Sequence, residues 1–485
     1  MRSCDVIVIG GGVNGLACAA RLAAKGCKVT LLESAATLGG GMALAHTTQG
    51  IDPRVMAGMA LDRHGLRFHA PLSTTVLGAA PLSVSAGKTT GPDAAAFAAL
   101  HQKLADFARV LTPFRTMTAP RLATRGNEWG KLLRYGLGVR ALGRADFREL
   151  LRMILINIAD VSEDELTDDR LKGLLCFDAT LGAWLGPRSP NSLILLLNRL
   201  SMGAQPLRPV GGMASVATAM ARAAVAAGVT LISDAKVARI TVDNDRACGV
   251  TLANGQDLRA DMVVSAISPR LTFQTLVGPR HLDAGFYTRS HHIRSRGGAA
   301  KLHLTLTSAP EFDADPQSRL VIAPSVNAVE NAFNPVKYGD IPDHPVMEII
   351  LPHAFDTADP PSLSAIVQFA PHAPKAGLEA ARAQMLDNTL RVLEAQSPGL
   401  RNRIAQAEFL MPSDIEARYG MVGGNWHHGE LAVEQMLFNR PLPGAAHYAT
   451  PLPGLWLSGA GSHPGGGING TAGWNAAERI LQVTP

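Results

Sequence analysis

Three groups of residues in this 485-residue chain have the types and the spacing to do chemistry. The first is a glycine turn. Gly10-Gly11-Gly12-Val13-Asn14-Gly15 follows the apolar run Val6-Ile7-Val8-Ile9, and Glu33 closes the next apolar run, Val29-Thr30-Leu31-Leu32. A strand, a glycine turn, a small-residue helix from Leu16 to Ala24 and a second strand ending in a carboxylate form the order a dinucleotide site requires. Gly10 permits the tight turn, Gly12 lets the backbone approach the diphosphate, and Gly15 lets the helix pack closely on the strand. The helix N-terminus offers free N–H groups and partial positive charge to the diphosphate. Glu33 suits a ribose 2′-hydroxyl and would repel a 2′-phosphate.

The second group lies near the other end of the chain. Leu455-Trp456-Leu457-Ser458 reads as a buried strand, Gly459 to Gly470 as a glycine-rich loop, and Thr471 to Leu481 as a helix of small residues. That is a second cradle for an anion at a helix start. Leu38-Gly39-Gly40-Gly41 supplies a further glycine turn that can pass close to a cofactor. The third group is titratable. Lys301 is a charge embedded in the apolar strand Gly298 to Leu304, read either as a strand-edge lysine in water or as a functional amine. His427, His428 and Glu430 form the densest titratable cluster, read either as a satisfied network or as acid–base machinery. His463, inside the glycine loop, is assigned to loop geometry. Neither a Ser-His-Asp arrangement nor HExxH is present.

These groups need elements to hold them. At this length two domains are expected. A composition that is 47% hydrophobic and 18% charged describes a globular α/β enzyme. Helical spacing runs from about 92 to 204, over Ala94 to Leu111, Phe147 to Ile158 and Ser192 to Leu200. Pro209-Val210-Gly211-Gly212-Met213 opens a helix over Ser215 to Ala227, ended by Gly228. Strands are predicted at Val229 to Ile232, Lys236 to Val242, Ala247 to Leu252, Asp261 to Ala266, Ala300 to Thr307, Val346 to Leu351 and Ala365 to Phe369, with a helix from Lys375 to Gln396. The predicted architecture is α/β. A discontinuous Rossmann-type domain (1–84, 205–270 and 421–485) carries the dinucleotide, and a mixed α+β cap (85–204 and 271–420) forms the substrate pocket.

The five cysteines include no CxxC pair and no metal-ligand spacing, so neither a redox disulfide nor a metal site is predicted. The first strand begins at residue 5, leaving no room for a signal peptide, and no apolar run approaches the roughly 20 residues of a bilayer span. The expected setting is the cytoplasm, or the surface of a membrane. Net charge is +5, with basic residues concentrated from Arg115 to Arg152 (Arg121, Arg125, Lys131, Arg134, Arg140, Arg144, Arg148). That stretch reads as a solvated helical face or as a contact for anionic lipid headgroups. Nothing resembles a nucleic-acid module, and a homodimer stays open.

Five segments occur in order: GGGVNGL at Gly10 to Leu16, LDRHGLRF at Leu61 to Phe68, PVGGMAS at Pro209 to Ser215, GGNWHHGE at Gly423 to Glu430 and GAGSHPGGGINGTAGWNAA at Gly459 to Ala477. Together they resemble the phytoene-desaturase-like (carotenoid oxidoreductase-like) flavoproteins, in particular the subgroup labelled pyridine nucleotide-disulfide oxidoreductase domain-containing protein 2. The resemblance spans nearly the whole chain. It implies non-covalent FAD in a fold shared with flavin amine oxidases.

Carried over by residue, Gly10, Gly12, Val13, Asn14 and Gly15 would line the FAD pyrophosphate, and Glu33 the adenosine ribose. Gly39, Gly40 and Gly41 would pass near the flavin, and the Val237 backbone would meet the adenine. Gly461, Gly467, Ile468 and Asn469 would face the phosphates and the flavin's pyrimidine edge. By similarity to flavin amine oxidases, Lys301 would hold a water near flavin N5. Asn469 departs from the small or apolar residue usual in that loop, and no long apolar segments for a polyene tunnel are evident. The expected activity is an FAD-dependent dehydrogenation, desaturase-like, moving a hydride from a mostly apolar small molecule to flavin N5, with oxygen or a quinone as electron acceptor. The alternatives are a flavin amine or amino-acid oxidase on the same fold and a non-catalytic flavin-binding regulator.

Overall fold

A computed structural model describes residues 5–118, 140, 143–203, 205–356 and 359–483. Among them, strands β1 (Asp5–Ile9), β2 (Lys28–Leu32), β3 (Thr74–Val76), β4 (Leu82–Val84), β5 (Thr230–Ile232), β6 (Val237–Asp243), β7 (Arg246–Leu252), β8 (Asp257–Arg259), β9 (Met262–Ser265), β10 (Ala299–Leu306), β11 (Arg319–Ile322), β12 (Val346–Ile350), β13 (Ser362–Gln368), β14 (Ile404–Leu410) and β15 (Leu455–Leu457) form three sheets.

The first sheet is parallel, in the order β15-β9-β1-β2-β5. Its central strand is apolar on both faces, as a covered parallel strand must be. Val6 and Val8 pack with helices Val13–Ala23, Met213–Ala226 and Thr471–Val483. Ile7 and Ile9 pack on the other side with the antiparallel ribbon β6-β7-β8. Both chain ends therefore meet in one layer. Helix Val13–Ala23 packs directly on helix Thr471–Val483, and a Cβ at Gly473 would strike the Asn14 carbonyl.

The second sheet has seven strands, β14-β10-β13-β12-β11-β3-β4. Ala300, Leu302, Leu304 and Leu306 of β10 face one apolar core, so Lys301 between them points to the opposite face. On that face sits a mostly helical layer that includes Ala94–Arg115, Asp169–Thr180 and Leu193–Leu200. β3 and β4 belong to this sheet through β11, so the boundary expected at residue 84 falls after its first two strands.

Local chemistry adjusts several predicted boundaries. The helix expected to run through Ile158 stops at Leu155. The Asn157 side chain then accepts from Asp160 N at 2.8 Å and caps a new helix, Ile158–Glu165. The helix expected from Lys375 begins at Leu378, after Gly377 at φ +81°. In the basic stretch, Arg121, Arg125, Lys131 and Arg134 lie outside the described residues. Cys18 and Cys176 are buried and free, as small core residues, and burial pushes each thiol up to about 12.

Candidate active site

The glycine turn takes the geometry that its spacing implies. The Gly12 carbonyl accepts from Leu16 N at 3.0 Å, so the helix starts immediately after the turn. A Cβ at Gly15 would collide with the Gly10 carbonyl oxygen, and that contact sets the helix against β1. A Cβ at Gly12 would meet nothing within 4 Å. There the bare backbone opens onto a cavity together with Val13, Asn14 and Gly15. An open N-terminal turn with no side chain in the way is what a diphosphate needs, and the site fits FAD. Glu33 is buried at the end of β2 and accepts from Gly11 N at 2.7 Å and Ala35 N at 2.9 Å.

The cavity holds about 1600 Å³ of empty space, its open mouth included. Gly39, Gly41, Gly467 and Ile468 line it, whereas Gly10, Glu33, Gly40, Val237, Gly461 and Asn469 do not. Gly39, at φ +119°, requires glycine and bridges back to Gly12, its N–H donating to the Gly11 carbonyl at 3.0 Å. Val237 is buried in β6, paired with Leu252. Asn469 is engaged within the fold. Its side-chain oxygen accepts from Thr471 N at 3.0 Å, satisfying a free donor at the start of the last helix. His463 is buried, and its Nε2 bonds the Phe114 carbonyl of helix Ala94–Arg115 at 2.6 Å, tying the glycine loop to that helix.

Lys301 is not a strand-edge lysine in water. β10 lies inside its sheet, between β14 and β13, and Lys301 is 8% exposed. Pairing puts Leu410, Lys301, Ile366 and Glu348 in one row across four strands, and Ile366 and Glu348 line the cavity. Lys301 Nζ lies 3.1 Å from Nδ1 of His46, a residue of the cavity wall. Burial pushes the Lys301 amine down to about 7; Glu348 opposes that shift and Arg208 adds to it.

The histidine cluster divides. His427, His428 and Glu430 all line the cavity, but Glu430 is spent on two arginines: Arg296 Nε at 2.9 Å and Arg294 Nε at 3.3 Å. His427 Nε2 accepts from Trp426 Nε1 at 3.0 Å. Burial, then the charge of Arg440, pushes His427 down to about 3 and His428 to about 4. Both are neutral at pH 7, so the acid–base reading of this trio has little support from its surroundings. The fully buried Arg440 holds the segment in place. It donates to the carbonyls of His427 (2.7 Å), Gly429 (3.3 Å), Glu430 (3.2 Å) and Ala460 (2.8 Å).

A charged ladder in the far wall has no counterpart among the residues that the sequence singled out. Arg319 of β11 bonds Glu348 of β12 and Asp178 of helix Asp169–Thr180, each at 2.7 Å. Arg199 of helix Leu193–Leu200 bonds the same Asp178 oxygen at 3.3 Å. Burial opposes the charge on Asp178 and on Arg319, but their mutual attraction outweighs it: Asp178 is held below the usual carboxylate range and Arg319 is held protonated. The available signals were a glutamate inside the apolar Val346–Ile350 and an arginine opening Arg319–Ile322.

With this geometry in hand, comparison places the chain among known proteins. The family model described as flavin containing amine oxidoreductase matches residues 14–481. The chain is 26% identical to pyridine nucleotide-disulfide oxidoreductase domain-containing protein 2 of Mus musculus, covering 99% of this chain and 93% of that protein. It is 29% identical to hydroxyneurosporene desaturase of Cereibacter sphaeroides, covering 98% and 97%. A crystal structure of an oxidoreductase from Methanosarcina mazei superposes with a TM-score of 0.61 at 14% identity, over 99% of this chain and 100% of that one, a likeness of fold. The chain belongs to the flavin-containing amine oxidoreductase family and is an FAD-dependent oxidoreductase.

Proposed function

We propose that the protein dehydrogenates a mostly apolar small molecule with a desaturase-like chemistry, a hydride leaving carbon for flavin N5. One observation carries this reading. The cavity that begins at the bare backbone of Gly12 continues without a break to an apolar wall of Leu181, Trp184, Leu185, Leu195 and Leu431. Bound FAD supplies the two-electron acceptor, and the chain supplies position and a dry pocket. The glycine turns would hold the diphosphate, and the apolar wall would hold the substrate and exclude water. Lys301 Nζ, uncharged above about pH 7, does not itself line the cavity and connects to it through the lining residue His46, 3.1 Å away; through that contact it would accept the proton that accompanies loss of the hydride.

An amine substrate finds less support. An ammonium group entering the pocket needs a free carboxylate or an aromatic cage. Asp178, Glu348 and Glu430, the carboxylates of the lining, are already bound to arginines. Its aromatic side chains are Trp184 and Trp426 besides the three histidines His46, His427 and His428.

The test is anaerobic mixing of the yellow holoenzyme with apolar alkenes, polyenes and alcohols in parallel with primary amines, following loss of the flavin's visible absorbance. Bleaching by an apolar compound, followed by reoxidation with oxygen or a quinone, supports the proposal. Bleaching by amines alone, with peroxide released in air, would establish the oxidase reading. A flavin that can be photoreduced but is bleached by no compound would favour a non-catalytic role.

A further inference from the structure

We infer that helix Gly143–Leu155 is a docking surface for an anionic membrane. Its inner face is buried through Leu150 and Met153. Its outer face carries Phe147 (39% exposed), Leu151 (47%) and Leu155 (63%), four residues apart and so in one stripe. Isolated exposed apolar residues are ordinary, but three in a row on one helix mark a contact.

Charge complementarity selects the occupant. Arg144, Arg148 and Arg152 repeat at the same interval, each three residues before one of the apolar side chains, and all three are exposed. Arg152 is paired with Glu149 at 2.8 Å. Arg144 and Arg148 have no ion-pair partner among the described residues, and with Arg152 paired to Glu149 they outnumber the helix's remaining acid, the exposed Asp146, by two to one. Apolar side chains interleaved with long basic ones suit the boundary of an anionic bilayer, where Phe and Leu enter the acyl region and arginines reach headgroup phosphates. A second copy of the chain would instead bring further unpaired arginines into the same apolar contact.

The position gives the contact a use. The inner face packs against helix Leu193–Leu200, whose Leu195, Asn198 and Arg199 line the cavity. The membrane surface is therefore one helix layer from the pocket. No helix of the described residues is long and apolar enough to cross a membrane, so the contact lies at the surface.

The test is flotation of the flavin-loaded protein with vesicles of phosphatidylcholine alone or mixed with phosphatidylglycerol. The protein is expected to float with the mixed vesicles and to be released by high salt. Arg144→Gln/Arg148→Gln should lower that partition about 25-fold, at roughly a fivefold loss per basic residue. Leu151→Ser/Leu155→Ser should abolish it while flavin content stays unchanged, which separates docking from folding. Wild-type protein that stays unbound at low salt, or variants that float equally well, would overturn the inference. So would a dimer that the leucine variants convert to monomer without altering flotation.

Discussion

Lys301 Nζ and His46 Nδ1 stand 3.1 Å apart, two basic groups sharing one hydrogen bond in a buried site 255 residues apart in sequence. Both cannot be charged there. Burial, then Lys301 itself, holds His46 well below its ordinary value, so the imidazole is the permanently neutral partner and the lysine is the group that titrates.

A pH dependence follows. Lys301 loses its proton near 7 when folded but near 10.5 when unfolded, so the unfolded chain binds the extra proton between those values. This group therefore raises stability as pH climbs from about 7 to 10.5, and its full penalty is present below 7. Lys301→Met should raise the melting temperature more at pH 6 than at pH 10. In single-turnover flavin reduction, a step near pH 7 should be present in the wild type and absent from Lys301→Met. Identical pH profiles would remove Lys301 from the reaction.

The neutral histidines predict the opposite limb. His427, His428 and His463 titrate near 3, 4 and 4 in the fold against about 6.5 when unfolded. Below 6.5 the unfolded chain gains protons the native chain refuses, so stability falls with acid. The slope is up to about 1.4 kcal/mol per pH unit for each group. Denaturant midpoints at pH 7, 6 and 5 should decline steeply, and less steeply in His463→Gln. His427→Gln should leave the pH profile of flavin reduction near neutrality unchanged, because a group titrating near 3 cannot shape it.

Arg440 binds five carbonyls from two segments, those of His427, Gly429, Glu430, Gln435 and Ala460, and removing it strands those acceptors in a buried site. Arg440→Met should cost about 2–4 kcal/mol by chemical denaturation of the holoenzyme, since bonds to a charged donor contribute roughly 1.5–3 kcal/mol each and are not additive. Lysine restores the charge but not the fork, so Arg440→Lys should recover only part of the loss.

What could be read from sequence and what could not divide along physical lines. The glycine turns and helix starts were legible because φ angles and close approaches constrain nearby residues, as at Gly12, Gly15 and Gly39. β14, an edge strand whose residues 405–408 are exposed, reads as polar sequence and went unrecognised, as did the short β3, β4 and β8. The ladder Arg199–Asp178–Arg319–Glu348 joins two helices and two strands, with up to 170 residues between its members, and no local pattern announces it. The reach of Arg294 and Arg296 to Glu430 is likewise tertiary.

The cofactor cradle yields the sharpest mutational contrast. At Gly12 a side chain meets no protein atom within 4 Å, so Gly12→Val should fold yet fill the space where a diphosphate must approach the backbone. At Gly15 a side chain collides with the Gly10 carbonyl, so Gly15→Val should disturb the strand–helix contact itself. The first variant should be colourless with native-like circular dichroism and a melting temperature insensitive to added FAD. The second should lose both colour and several kcal/mol of stability. Stoichiometric flavin in Gly12→Val would show that the diphosphate lies elsewhere.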